Sequence, residues 1–450
     1  MHDVESVKRL LKGDARTANV AKNILASFAL KGVSIIVSFL LVPLTIGYVS
    51  SELYGVWLTL SSVLTWLCFL DVGFSQGLKN KLAEAVAVGD FRKGKSLVST
   101  TYFMMLIIVI PVCIVLQVII PLVDWCTLLN IDMQYQEEIK LVMGVLIAFA
   151  CLQMVVNVIV SVVAAFQQVA LSNSLNVIGS VLSLIVIYIQ TKTCPPSLLS
   201  LSLSLAAVPI VVFVLATILL FSTKFKSIVP SVNSIKLGYV KDLFSLGYKF
   251  FIINIQVVVL YQSTNVLISN VSSPIDVTNY NVAYRLLNVA MMAYTIILTP
   301  LWPAYTDAYT KGDFLWMEKT FNRMRKVLLI SILGCFVITL ASPFIYKIWL
   351  GNSVEVPFAM TLLVAIYVSV YCWMNLNGTL AIGMGKVKVS SCMVLVGMVL
   401  HIPLSLFFSS YMGAYGVLLS LILINTFYAV VTKTQVHKIL NKTATGIWLQ

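Results

Sequence analysis

Charge is what this chain has least of: aspartate, glutamate, lysine and arginine supply 10% of its 450 residues, while 60% are hydrophobic. Soluble domains carry about 25% charged residues, so a water-soluble globule is excluded. A large hydrophilic loop is also missing. The longest segments between apolar runs, 222–245 and 304–326, are basic, and the segments alternating with them are short. A polymerase or ligase acting on glycans outside a membrane needs a sizeable outer loop, so the chain is not expected to be an enzyme. Ligand-like cysteine spacing is absent too. Of eight cysteines, Cys68, Cys113, Cys151, Cys335, Cys372 and Cys392 lie inside apolar runs, where cysteine acts as a small hydrophobe. No metal or cofactor is expected. Cys126 and Cys194 fall in outer segments, and nothing in their spacing fixes whether they pair. No cleavable signal peptide is expected: residues 1–22 are polar, and Val4, Val7, Leu10 and Leu11 share one face opposite Lys8, Arg9 and Lys12. That pattern predicts a short interfacial helix over 4–20.

What is present is length in apolar runs. About 20 such residues span the hydrocarbon core, which places spans at roughly 23–48, 54–77, 97–121, 139–165, 170–190 and 198–221, then 246–270, 279–303, 327–350, 357–384, 389–409 and 414–432. Lipid offers no partner to open backbone groups, so the spans are helices. The expected fold is an all-α integral membrane protein of about 12 transmembrane helices. Residues 1–22, 79–95, 222–249, 304–326, 385–388 and 433–450 hold 25 of the 30 lysines and arginines. The alternate segments hold only Lys140, Lys192 and Lys347 near their ends, beside Glu52, Asp124, Asp132, Glu137, Glu138, Asp276 and Glu355. The positive-inside rule then puts both termini in the cytoplasm. Topology accounts for the net charge of +13, and no nucleic-acid partner is expected.

The chain repeats itself. Val49-Ser50-Ser51 returns as Val271-Ser272-Ser273, and Gly89-Asp90-Phe91 as Gly312-Asp313-Phe314, offsets of 222 and 223 residues. Offsets near half the length indicate two similar units. Six crossings return each half to its starting side, so the six-helix lobes 1–225 and 226–450 should be related by a pseudo-twofold axis along the membrane normal, a transporter design with the substrate site between lobes.

Ionisable groups deep in spans are the sharpest pointers, because each costs about 2.5–3.5 kcal/mol to insert. Lys31, Arg285, Asp71 and His401 qualify. Lys31 continues a polar line through Asn23, Ser27, Ser34 and Ser38, at helical spacing. It lies roughly 13 Å along the helix from Lys22, at the limit of snorkelling reach. Arg285, Asn288, Met292, Thr295 and Thr299 keep the same rhythm, as do Gln153, Asn157 and Ser161. Span 7 is polar more widely, with Asn254, Gln256, Gln262, Ser263 and Asn265. For serine and threonine, helix-to-helix hydrogen bonding explains such stripes. For Lys31 and Arg285 a hydrated cavity is expected. Two fixed cations suit a phosphate or carboxylate, and no acidic residue occupies the middle of any span. Asp71 is read as a partner for Arg285, a gate or a loop anchor, and His401 as a packed histidine or a proton carrier. Pro209 and Pro403, near mid-span, are the hinge candidates.

Tyr54-Gly55-Val56-Trp57 followed by Asp71-Val72-Gly73, and the run from Pro300 to Tyr309 with Gly312-Asp313, resemble polysaccharide repeat-unit flippases of the Wzx type, in the multidrug, oligosaccharidyl-lipid and polysaccharide exporter superfamily. Asn23, Pro43, Tyr284-Arg285-Leu286, Gly383 to Lys386 and Gly413 to Gly416 extend the similarity along essentially the whole chain. The resemblance implies movement of an undecaprenyl-pyrophosphate-linked oligosaccharide across the bacterial cytoplasmic membrane for O-antigen, capsule or related glycan assembly. Lys31 and Arg285 would hold pyrophosphate, with Asn157, Asn254, Gln262 and Asn288 on sugar hydroxyls. Trp302 would stack on sugar or serve in the interfacial belt. Asp71, Asp307 and His401 are the gate or coupling candidates. Partners would be lipid and the polysaccharide polymerase machinery. A drug or metabolite exporter of the same fold is the alternative, then a nonspecific lipid scramblase. Drug-exporting relatives carry an acidic group in span 1, where this chain has Lys31.

Overall fold

The computed structural model describes residues 15–67, 71, 73–166, 168–244, 258–298, 301–386 and 388–449. Among them the long elements are all helical, and there is no strand. In chain order the helices are α1 (Ala15–Val49), α2 (Ser51–Leu67), α3 (Phe74–Ala87), α4 (Phe91–Ile119), α5 (Trp125–Leu129), α6 (Gln136–Val156), α7 (Val158–Ala165) and α8 (Val169–Thr193). They continue as α9 (Leu198–Ser222), α10 (Ser263–Val271), α11 (Pro274–Leu298), α12 (Leu301–Thr310), α13 (Phe314–Leu350), α14 (Phe358–Gly383), α15 (Lys388–Met412) and α16 (Ala414–Leu440). Ten stretches among the described residues are long and apolar enough to cross a membrane. Their outward faces carry residues such as Ile36, Ile114, Val118, Leu333, Phe344 and Ile348, all exposed, as lipid-facing positions should be.

Several spans depart from their expected limits for backbone reasons that hydropathy does not register. The expected span 54–77 is interrupted: α2 stops at Leu67 and α3 restarts at Phe74. At the restart Gly73 sits at φ 81°, a left-handed position that suits glycine, and its N–H donates to Asp71 Oδ1 at 2.6 Å. The expected span 139–165 breaks at Asn157, between α6 and α7, where Asn157 Oδ1 accepts from Gln153 Nε2 at 2.7 Å. Of the expected span 279–303, residues 279–298 lie in α11 and 301–303 in α12. The run read as 327–350 begins thirteen residues earlier, at Phe314, because its polar first turns are helical as well. Pro209 and Pro403 lie inside the continuous helices α9 and α15. Pro209 packs against Gly179 of α8, where an added Cβ would lie 3.3 Å from the proline Cα. The expected interfacial helix falls mainly outside the described residues. Cys126 and Cys194 are both free thiols, the first buried and the second exposed.

One of the two repeated motifs, Gly-Asp-Phe, is a repeated turn. Gly89 and Gly312 have φ of 74° and 72°, and each precedes an aspartate that caps the next helix. Asp90 accepts from the Lys93 N–H, and Asp313 from the Trp316 N–H, satisfying one of the open donors at each helix start. The backbone agrees bond for bond: Asp90 N to Ala85 O and Asp313 N to Ala308 O are both 2.9 Å.

Two compact units emerge. One comprises Met1–Ser50, Val63–Cys126 and Asp132–Ile255; the other comprises Ser51–Ser62, Thr127–Ile131 and Gln256–Gln450. In the first, α1 packs on α8, α9 on α6 and α8, and α4 on α3 and α6. Glu138 of α6 ties down α9: its Oε1 accepts from the N–H groups of Leu198 and Leu199 at 3.1 and 3.4 Å, a carboxylate at a helix N-terminus. The basic segment after α9 is strapped to α4, with Ser231 N donating to Ser99 Oγ and Lys236 N to Thr100 Oγ1. In the second unit α16 packs on α14 and α15, while α14 also meets α11, α12 and α13.

Candidate substrate site

In the first unit Lys31 lies on α1 and is exposed, with half-buried Ser34 and Ser38 continuing its face. The side chains of Asn23 and Ser27 lie outside the described residues, and so does Asn254. Asn157 is half-buried and occupied by its bond to Gln153. Asp71 forms the turn that restarts the helix at Phe74.

The second unit gathers more. On α11, Asn281, Arg285 and Asn288 advance by four and three residues and share one face. Asn281 was absent from the sequence reading, although the same periodicity contains it. Arg285 is half-buried and close enough to Tyr54 to act electrostatically on its hydroxyl. One turn on, the side-chain oxygen of Asn288 is buried without a hydrogen-bond partner among the described residues. Such an atom is costly unless something binds it. Asn281 Nδ2 donates to Asn265 Oδ1 at 2.8 Å, and Asn265 Nδ2 donates to Ser62 Oγ at 2.8 Å. Gln262 closes a π-helical turn before α10.

Beside Arg285 runs a tyrosine ladder that sequence reasoning missed. Tyr280 stacks on Tyr284 at 5.9 Å between ring centroids, Tyr284 meets Tyr367 at 6.3 Å, Tyr367 meets Tyr371 at 6.2 Å, and Tyr371 meets Tyr261 edge-on at 5.9 Å. Tyr261 donates to Asn425 Oδ1. Its rings come from α11, α14 and the turn before α10, so only the pairs 280/284 and 367/371, each one turn apart, carry any local signal.

His401 and Asp307 lie apart from this cluster in role. His401 is fully buried, with Nδ1 3.3 Å from Ser405 Oγ and 3.2 Å from Ser420 Oγ. Its Nε2 is buried with no partner among the described residues. Asp307 is exposed and pairs with Lys311 at 2.7 Å, one turn along α12. Exposed pairs of this kind stabilise by about 0.3–0.5 kcal/mol.

A polar seam in the second unit holds α2 and the 127–131 segment to α10 and α11. Thr278 Oγ1 donates to Ser51 O at 2.6 Å, Ser269 Oγ to Leu129 O at 2.6 Å and Asn270 Nδ2 to Leu128 O at 2.8 Å, while Asn130 donates to Ser272 O. The backbones touch at Gly55. A Cβ there would lie 1.8 Å from Pro274 O, so only glycine fits.

The motif segments also meet. A Cβ on Gly383 would lie 2.8 Å from Tyr305 Cβ, Thr306 Oγ1 donates to Gly383 O at 2.7 Å, and Lys386 Nζ lies over the Tyr309 ring at 5.8 Å. Around them Tyr305, Ala308, Met317, Leu380, Ala381, Met384, Val436 and Ile439 form a buried core.

A family model for polysaccharide biosynthesis proteins matches residues 20–308. The chain belongs to that family. Two Salmonella proteins that share the name "Putative O-antigen transporter" are similar to it. The one from Salmonella typhi is 22% identical over 433 residues, 92% of this chain and 94% of the relative. The one from Salmonella typhimurium is 24% identical over 176 residues, 39% of this chain and 41% of the relative. Among solved structures, an inward-facing multidrug resistance MATE family transporter of the MOP superfamily superposes with a TM-score of 0.75 at 15% identity, covering 91% of this chain and 96% of that one. An outward-facing MATE family transporter gives 0.59 at 13% identity, covering 97% and 98%. The family thus shares its helical membrane fold with transporters.

Proposed function

We propose that this protein is a flippase that moves undecaprenyl-pyrophosphate-linked oligosaccharide repeat units from the inner to the outer leaflet of a bacterial cytoplasmic membrane, for surface polysaccharide assembly. The observation that carries the reading is Arg285. In a polysaccharide biosynthesis family, it is a half-buried guanidinium in an apolar helix, one turn from the unpartnered Asn288 oxygen. Arginine keeps its charge at any plausible burial and offers a planar fork to phosphate oxygens. Lys31 adds a second cation on the substrate's path, and Asn157, Asn254, Gln262 and Asn288 meet sugar hydroxyls.

A glycan and a pyrophosphate cannot cross hydrocarbon without partners, because burying unpaired polar and charged groups is too costly. A hydrophilic path lets the head group cross while the prenyl tail stays in lipid. The lobes 1–225 and 226–450 alternate access by rocking, with the seam of α2 on α11 acting as the outer gate and Asp71, Asp307 and His401 serving gating or coupling. The work is transport rather than catalysis. Lipid and the polymerase machinery that receives the product are the partners.

Two experiments test this reading. Deleting the gene should remove a surface polysaccharide and leave lipid-linked repeat units on the cytoplasmic leaflet, measured by leaflet-resolved detection of the oligosaccharide, with little change in susceptibility to cationic dyes. Normal glycan with dye hypersensitivity would instead establish a drug exporter. For topology, in a variant with the native cysteines replaced by serine, cysteines placed at Lys236 and Lys319 should resist a membrane-impermeant maleimide in intact cells, while cysteines at the exposed outer positions Asp132 and Glu355 should react. Labelling at Lys236 from outside would overturn the orientation.

A further inference from the structure

The second unit contains an open cavity of about 320 Å³ lined by α11, α12, α14 and α16, with Leu298, Met374 and Ile382 on its apolar side, at the small end of the roughly 300–1,000 Å³ typical of ligand sites. Its wall has an unusual chemistry for a membrane interior. Trp302 and Tyr428 supply aromatic surface, Asn375 supplies an amide, and Thr295 and Thr379 supply hydroxyls. None of its lining residues is charged. Flat aromatic faces beside amides and hydroxyls match a sugar ring, which has an apolar C–H face and a rim of hydroxyl groups. Among the described residues, a phosphate would find no cation in the lining.

A second observation marks the space as kept open. Gly378 of α14 is buried and lines the cavity, yet a Cβ added to it would meet nothing within 4 Å. Most other buried glycines of this unit are there because backbones or side chains press on them, as Pro274 presses on Gly55, Tyr305 on Gly383 and Ser409 on Gly416. Gly378 has no such neighbour. A glycine weakens a helix, and here the return is volume inside the cavity rather than close packing.

The cavity also connects to Arg285. Tyr284, next to Arg285 in sequence, meets Tyr367, which meets Tyr371, and Tyr371 lies one turn before the cavity residue Asn375 on α14. An amide offers both donors and an acceptor to ligand hydroxyls. Thr295 lies ten residues beyond Arg285 on α11, roughly 15 Å along the helix. If Arg285 holds the pyrophosphate, the glycan and not the phosphate reaches this cavity. Trp302, half exposed, sits at its edge.

We propose that this cavity seats one uncharged sugar ring of the transported glycan, gripped by Trp302 and Tyr428 with Asn375 and Thr379 on its hydroxyls, so that it reads the glycan independently of the pyrophosphate. The proposal rests on the flippase reading and adds a specificity site to it.

The test compares two lipids binding to the full-length protein in nanodiscs of phosphatidylethanolamine and phosphatidylglycerol. One is the lipid-linked oligosaccharide extracted from the host strain lacking this gene; the other is undecaprenyl pyrophosphate without sugar. Gly378→Leu, which fills the cavity, and Trp302→Ala should each weaken the glycan-bearing lipid by about tenfold or more, with the sugar-free lipid held within about twofold. Retained binding of the sugar-free lipid also reports an intact fold. Unchanged affinity of Gly378→Leu for the glycan-bearing lipid overturns the sugar seat and leaves the flippase reading standing. Equal loss of both lipids overturns it too, since the residues would then act on the fold. If the unmodified protein binds neither lipid, the flippase reading itself fails and the sugar seat falls with it.

Discussion

Arg285→Ala is expected to abolish surface glycan while the protein reaches the membrane at near-normal level. The side chain is half-buried on α11 beside Tyr54, and its removal leaves no large void in a buried core. Under the proposed function it does leave a pyrophosphate without its fork. Removing one partner of a desolvated charge pair costs about 2–5 kcal/mol, or roughly 30-fold to several-thousand-fold in affinity. Lys31→Ala should impair export in the same direction. The conservative exchanges separate the two sites: Arg285→Lys should recover less than Lys31→Arg, because a planar fork is lost in the first and gained in the second. Normal export by both alanine variants, at matched membrane levels, would remove the cationic path from the proposal.

The second large effect is expected at Gly55. Its Cβ position lies 1.8 Å from Pro274 O and 2.9 Å from Thr278 Oγ1, so Gly55→Val cannot be accommodated without separating α2 from α11. The Thr278 to Ser51 and Asn265 to Ser62 bonds would separate with it. With the native cysteines replaced by serine, a cysteine placed at Ser269, fully buried and bonded to the Leu129 carbonyl across the same seam, should then label faster with an impermeant maleimide in Gly55→Val than in the parent, and export should fall sharply. Gly32→Val serves as a comparison, because a Cβ there meets nothing within 4 Å. Unchanged labelling in Gly55→Val, with normal membrane level, would show that the seam does not control outer access.

The residues that carried the family resemblance turn out to be chiefly residues of close packing. Gly55 admits Pro274, Gly383 admits Tyr305, and Gly416 sits where a Cβ would lie 2.4 Å from the Ser409 nitrogen. Gly312 and Asp313 make a helix-starting turn. Such motifs are legible in sequence because a backbone contact or a positive φ admits few residue types, and they identify a fold more directly than a substrate. The α11 stripe was legible for a different reason, helical periodicity, which places Arg285 and Asn288 on one face and contains Asn281 as well. Periodicity says nothing about neighbours on other helices. The tyrosine ladder joins residues 261, 284 and 371, and the seam joins Ser62 to Asn265, so neither leaves a pattern along the chain.

By itself the sequence determined the class of the protein and the repeated Gly-Asp-Phe turn, because hydropathy and turn chemistry are local properties that lipid and backbone geometry enforce residue by residue. It also singled out Lys31 and Arg285, because a cation in an apolar helix is costly enough to be noticed individually. Only the tertiary structure decided what surrounds them. It put Tyr54 beside Arg285, broke α2 from α3 at Asp71 and Gly73, joined α2 to α11 through Gly55, and left open the space beside Gly378. Those outcomes depend on which helix faces meet, and that is set by the packing of many side chains at once rather than by any one stretch of chain.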